Sequence, residues 1–345
     1  MTKFSTLCYM EKDGQYLMLH RIKKKIDVNK DKWIGIGGHF EDEESPEDCL
    51  LREVYEETGF TLTSYRFRGL VTFISGTGIT EYMSLYTADA FTGEMTDCNE
   101  GVLEWVNIED IWNLNIWEGD KIFFRLLDEN EPFFSLKLVY DGSDKLIDAV
   151  LNGKPMELFD IINSDGTKTG IIRERGVAHR EGSMHATAHI WVVRPKEQGF
   201  DVLLQKRSFQ KNSFSGCYDT SAAGHISAGD THLPAAIREL SEELGIQAQA
   251  DDLTYIGTHY CETHTEFNNI PFHDRELSHI YIYDKPVDID SLQLQTEEVD
   301  SVCWLDMNEC LKKMQDSEFL HCIEPGEFRK LYSFLYQNIE KDKTS

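Results

Sequence analysis

The chain has 345 residues, more than one ordinary domain of about 150, and a hydrophobic content of 41% is ample for a large core. Charged residues make up 28%, which excludes a disordered chain, and no run approaches the roughly 18 uncharged apolar residues of a membrane span. Thirty-four Lys plus Arg against 61 Asp plus Glu leave a net charge of −27, spread along the chain, which argues against nucleic-acid polymers and membranes as partners.

Taken in chain order, Phe4–Met10 and Gln15–His20 read as a hairpin around Lys12-Asp13-Gly14. Ser45-Pro46 opens a helix, with serine as N-cap and proline at its first position, and Gly59 closes it. Strands fit Phe67–Ile74, Glu81–Ala88 and Leu103–Val106, and Asp120–Leu127 reads as a second helix. Turn clusters at Asp141–Asp144 and Asn152–Pro155 suggest a boundary, giving domains 1–153 and 154–345. Beyond it, His185–Val193 and Asp201–Gln205 read as strands and Leu233–Leu244 as a helix stopped by Gly245. Strands at Leu253–Tyr260 and Leu277–Tyr283 flank a polar stretch, Thr263–Leu277, that reads as a long loop, and Phe328–Ile339 is a closing amphipathic helix. Mixed strands with helices on either side predict an α/β class, two tandem α/β/α sandwiches with mixed sheets.

The tandem arrangement follows from an internal repeat. Residues 38–60 (GHFEDEESPEDCLLREVYEETGF) and 224–246 (GHISAGDTHLPAAIRELSEELGI) share Gly-His at the start and R-E-apolar-x-E-E-x-G-apolar at the end. An acidic residue follows each glycine by six positions, Glu44 in one copy and Asp230 in the other, and aspartate keeps the charge with a shorter reach. Glu53, Glu56 and Glu57, spaced i, i+3 and i+4, place three carboxylates on one helix face. Clustered like charges call for an offsetting cation, and Mg²⁺ typically takes one or two carboxylates together with substrate phosphates. A lone E-x-x-E-E is usually a solvated face, but the extended pattern has a chance frequency of roughly 10⁻⁹ per start site.

The extended pattern resembles the Nudix box, so each half is identified as a member of the Nudix hydrolases, which cleave diphosphate linkages. The resemblance implies Mg²⁺ or Mn²⁺ as cofactor and small nucleotides or other diphosphates as substrates. It implies that Glu53, Glu56, Glu57 and the Gly38 carbonyl bind metal, that Glu53 is a ligand or general base, and that Arg52 and Glu44 orient the helix. Arg238, Glu239, Glu242 and Glu243 take the same places in the second copy.

The first half resembles the MutT-type 8-oxo-dGTP diphosphatases in Lys32-Trp33, in Glu100 and in Trp117 with Asp120. That likeness implies a metal-approaching carboxylate at Glu100 and a purine contacted by Trp33, stacked on Trp117 and hydrogen-bonded to Asp120. Ile34 stands where these enzymes often carry a polar purine contact.

The second half resembles the isopentenyl diphosphate isomerase subgroup in Glu157–Asp160, Arg173, Arg175, His179–Gly182, His185–Val193, Leu203–Ser208 and Ser221–His225. The isomerase cysteine position holds Ala223 while Glu239, Glu242 and Glu243 are complete, which favours a hydrolase over an isomerase or a non-catalytic binding domain. Histidines 179, 185, 189 and 225 are candidates for an extra metal site or for structural imidazoles. On one strand His185 and His189 share a face but stand about 13 Å apart, too far to grip one ion together. Eight scattered cysteines without a C-x-x-C pair, and an N-terminus without signal-peptide shape, predict a reducing, cytoplasmic setting; the oligomeric state stays open.

Overall fold

The computed structural model describes residues 1–24, 27–211, 213–267 and 270–342. Contacts group Met1–Leu158 with Ile172–Val177 as one unit, and Phe159–Ile171 with Ala178–Ser345 as the other. Arg173 and Arg175 therefore pack with the first unit.

Alternation along β1 (Thr2–Lys12) sends Cys8 and Met10 to one face of a sheet and Tyr9 to the other. It is followed by β2 (Gln15–His20), β3 (Trp33–Ile34), α1 (Pro46–Thr58), β4 (Phe60–Ile74), β5 (Thr80–Gly93), β6 (Val102–Asn107), α2 (Glu118–Asp128), β7 (Phe134–Tyr140), β8 (Leu146–Leu151) and β9 (Lys154–Pro155). The sheet runs β3-β2-β1-β5-β4-β7-β8-β9, with β6 also on β2. β1 pairs with β5 in parallel and with β2 antiparallel, so the sheet is mixed. Leu50 and Val54 of α1 pack on the Cys8–Met10 face, while Phe123 and Phe124 of α2 meet Tyr9 on the other. The turn clusters at 141–144 and 152–155 are the bends of a β7–β8–β9 meander that extends this sheet.

The second unit repeats the plan. A two-stranded ribbon of β10 (Leu158–Ile162) and β11 (Lys168–Glu174) leads into α3 (Arg175–Glu181). Then come β12 (His185–Pro195), β13 (Phe200–Arg207), β14 (Tyr218–Asp219), β15 (Ala222–His225), α4 (His232–Leu244), β16 (Leu253–Phe267), β17 (Ile270–Tyr283), β18 (Val299–Asp306), α5 (Met307–Lys313) and α6 (Pro325–Asp342). The sheet order is β14-β13-β12-β17-β16, with β15 on β12 and β18 on β13. Ala236, Leu240 and Leu244 of α4 cover Ala188, Ile190 and Val192 on one face. Phe328, Leu331 and Leu335 of α6 cover Trp191, Ile280 and Ile282 on the other. Two α/β/α sandwiches with mixed sheets result, as expected from the repeat.

One expectation is corrected. Thr263–Leu277 is not a loop: β16 and β17 pair from Leu253↔Tyr283 out to Phe267↔Ile270, and the residues between, 268 and 269, lie outside the described residues. The polar composition misled because both strands run on past the start of β12 as a two-stranded arm, where neither face is fully covered.

Candidate active sites

The box helix of the first unit is set by local chemistry. Ser45 and Asp48 form a reciprocal capping box, Pro46 occupies the first turn, and Gly59 ends the helix in the left-handed region at φ 77°. Gly245 ends α4 in the same way at φ 74°. The glycine that opens each box answers a different need, close approach. A Cβ on Gly38 would stand 2.2 Å from Glu53 Oε1, and one on Gly224 would stand 2.1 Å from the same atom of Glu239. Only glycine lets this helix carboxylate lie against the loop backbone.

Arg52 organises the first cluster. It donates to both oxygens of Glu44, at 2.6 and 2.9 Å, to Glu53 at 2.7 Å, and to the His39 carbonyl at 3.1 Å. Those donated bonds, with one from the Glu41 N–H, hold the Glu44 carboxyl down at about 2. Glu57 lies inward and accepts from the Gly37 N–H at 3.1 Å. Burial, against that hydrogen bond and with Glu53 adding repulsion, pushes its carboxyl up to about 7. Glu56, at 59% side-chain exposure, faces outward within 3.4 Å of Arg52. The Gly38 carbonyl accepts from the Thr6 N–H at 2.9 Å and lies 3.5 Å from Cys49 Sγ. Glu100 pairs with Arg21 and Lys24, whose charges also reach Glu57.

Beside this cluster, Trp117 immediately precedes α2 and donates its indole N–H to Asn29 at 2.9 Å. Lys32 Nζ stands 4.9 Å from the indole centroid. Asp120, in the first turn of α2, is buried, and burial pushes its carboxyl up to about 8 despite the pull of Lys32. Trp33 stacks on His20 at 4.5 Å instead of standing with Trp117.

The second cluster keeps the plan with a looser arginine. Arg238 pairs with Glu239 at 2.7 Å and Glu242 at 2.9 Å and donates to the His225 carbonyl at 3.2 Å. Its side chain is 39% exposed where that of Arg52 is 20% exposed. Glu243, like Glu57, accepts from a loop N–H, that of Ala223 at 3.1 Å, and burial pushes its carboxyl up to about 8.

Three of the four candidate histidines converge. The ligand atoms of His179, His185 and His225 lie within 4.8 Å of one another, as do those of His185, Asp274 and Glu276. Asp274 stands 3.6 Å from the Nε2 atoms of both His179 and His185, and Glu276 stands 3.6 Å from His225 Nε2. His185 lies 2.9 Å from the Ser183 carbonyl through Nδ1, which leaves Nε2 toward the cluster. Phe159 stacks on His185 and His225 at 4.7 and 4.5 Å. His189 does not join them; its Nδ1 lies 2.8 Å from Glu327. Asp274 and Glu276 lie in the polar stretch 263–277, whose composition reads as a loop and gives no sign of a shared strand face. Their spacing of two, on what proves to be a strand, was the available signal.

Each box would suit a hard divalent cation, since Glu53 repels the buried Glu57 and Glu239 repels the buried Glu243. Three imidazoles with two carboxylates fit a divalent transition metal.

The NUDIX domain family matches residues 2–127 and again 183–321, and the chain belongs to that family, with two copies of the domain in tandem. It is 35% identical over 188 residues to Nudix hydrolase 3 of Arabidopsis thaliana, covering 53% of this chain and 24% of that protein, so it spans about a quarter of that relative's length. It is 28% identical to the oxidized purine nucleoside triphosphate hydrolase of Danio rerio, over 44% of this chain and 95% of that one. It is 30% identical over 86 residues to the isopentenyl-diphosphate Delta-isomerase of Photobacterium profundum, covering 25% of this chain and 47% of that one.

Proposed function

We propose that the first domain hydrolyses purine nucleoside triphosphates, oxidised ones such as 8-oxo-dGTP included, to monophosphate and pyrophosphate with Mg²⁺ or Mn²⁺. Glu53, Glu56, Glu57 and the Gly38 carbonyl would hold the ion, and Glu100, paired with Arg21 and Lys24 whose charges reach Glu57, would approach it. A bound divalent ion neutralises phosphate charge and lowers the pKa of the attacking water. Glu53, which lies against the loop backbone and is held by Arg52, would take the water's proton. The observation that carries the purine reading is the buried Asp120 in the helix turn that follows Trp117. With burial pushing its carboxyl up, Asp120 would keep a proton at neutral pH and donate it to a ring acceptor, and the rim of the Trp117 indole would supply a flat apolar surface.

The second domain, on this proposal, cleaves a different diphosphate-containing metabolite through Glu239, Glu242 and Glu243 with Arg238. The convergent histidines, with Asp274 and Glu276, would hold a further metal at the same cleft. Ala223 supplies no thiol for isomerase chemistry. Cys261 does face Glu276 across β16 and β17, but burial raises its thiol to about 11, away from thiolate character.

The test measures phosphate and pyrophosphate release with Mg²⁺ over a panel of nucleotides and nucleotide conjugates. Glu53→Gln and Glu57→Gln should each abolish triphosphate turnover while Glu239→Gln leaves it intact. If triphosphate turnover depends on Glu239 instead, the assignment of the two domains is reversed.

A further inference from the structure

The two repeats carry different chemistry at equivalent positions of the sheet face that meets the closing helix. The histidine after each box glycine marks the register: His39 bridges to Ser5, and His225 pairs with Thr187. Ser5 and Thr187 therefore correspond, and so do their parallel partners, Met83 and Ser278. The next strand then aligns Val71 with His259, and one pleat away Phe73 with Cys261. Along the first strands, Leu7 corresponds to His189 and Tyr9 to Trp191. The closing helices agree. Trp117 directly precedes α2 and Asp120 is its third residue; Glu324 directly precedes α6 and Glu327 is its third.

In the first repeat this face reads Leu7, Met83, Val71 and Phe73, beside an indole and one buried acid. In the second it reads His189, Ser278, His259 and Cys261, beside two glutamates. Glu327, 1% exposed, accepts from the Trp191 indole N–H at 2.7 Å and bonds His189 Nδ1 at 2.8 Å. Glu324 bonds His259 Nε2 at 2.9 Å. With Nδ1 engaged by a carboxylate, His189 turns Nε2 toward the cleft, 3.4 Å from Thr187 Oγ1 and 4.0 Å from Glu276. Ser278 Oγ is fully buried on the same face and has no hydrogen-bond partner among the described residues.

We propose that His189, positioned by Glu327 and Trp191, is a substrate-contacting specificity residue of the second site, and that it takes a hydroxyl of a sugar-like group joined to the diphosphate. The proposal rests on reading the second domain as a diphosphate-binding Nudix site. A hydroxyl accepts as well as donates, so it can take the Nε2 proton of His189. A prenyl chain offers His189 Nε2 no acceptor and would lay apolar carbon against a polar ring edge, a mismatch that sites built for hydrogen bonding disfavour. A purine finds no aromatic plate, because a glutamate stands where Trp117 stands in the first repeat.

The test is calorimetry on the full chain with Mg²⁺, in a Glu53→Gln, Trp117→Ala background that disables the first site. UDP-glucose and ADP-ribose are compared with UDP, ADP and dimethylallyl diphosphate. At least one sugar conjugate should bind about tenfold or more tighter than its parent nucleotide. His189→Leu should erase that ratio and His189→Gln should retain part of it, with parent affinity unchanged in both.

The proposal is overturned if neither conjugate exceeds its parent, if dimethylallyl diphosphate binds tightest, or if the ratio survives His189→Leu. Failure of the hydrolase reading looks different: the sugar preference persists while no conjugate is turned over in a Glu239-dependent way.

Discussion

At the scale of single residues, burial decides what a carboxyl can do. Asp120 and Glu44 are both acids of one domain, yet burial raises the first to about 8 while donated hydrogen bonds lower the second to about 2. For Asp120 the native state keeps a proton that the unfolded chain releases near pH 4. Its contribution to stability therefore falls as pH rises from about 4 to about 8. Purine selection should weaken over the upper end of that range, because an ionised Asp120 no longer donates. We expect kcat/KM for oxidised purine triphosphates to fall above about pH 8 with a limiting slope of about tenfold per pH unit. Asp120→Asn should flatten the slope, lower kcat/KM at pH 7, and raise the melting temperature at pH 9 more than at pH 5. An unchanged pH profile in that variant would remove Asp120 from the recognition chemistry. The residue types were legible in the sequence, since Glu53, Glu57 and Asp120 were marked by motif and spacing. Their protonation was not, because it depends on what other segments lay over them.

At the scale of elements, the box is a loop braced against a helix. Gly38→Ala should cost the first site about a hundredfold in kcat, the usual effect of displacing a reacting group by about an ångström, with little change in stability. Gly224→Ala should do the same for the second site alone. Loss of both activities from either change would mean that the boxes do not act separately. Ser45→Ala removes the capping box of α1 and should lower stability by about 1 kcal/mol, read as a shifted urea midpoint at constant slope. The box helices α1 and α4 and most strands could be read from caps and periodicity, which are local signals. The β16–β17 arm could not. Its strands pair mainly with each other past the start of β12, so no buried face imposes an apolar alternation on Thr263, Glu266 or Asp274. The same failure hid Asp274 and Glu276.

At the scale of the whole molecule, one domain plan is used twice with different residues on the sheet face that meets the closing helix. Glu53→Gln and Glu239→Gln should each silence one activity and leave the other at its full rate, measured on the same preparation with two substrates. The sequence alone determined the tandem repeat, the Nudix class of both halves, the mixed α/β sandwich and the carboxylates of each box. Those are properties of short contiguous segments, where spacing on one helix or strand is enough to bring side chains together. Only the tertiary structure decided which histidines converge: His179, His185 and His225 come from α3, β12 and β15, and their approach depends on strand pairing. It also decided that His189 turns to Glu327, 138 positions away, because α6 folds back across the sheet that carries His189. Contacts between distant segments are set by packing and register, and no local pattern encodes them.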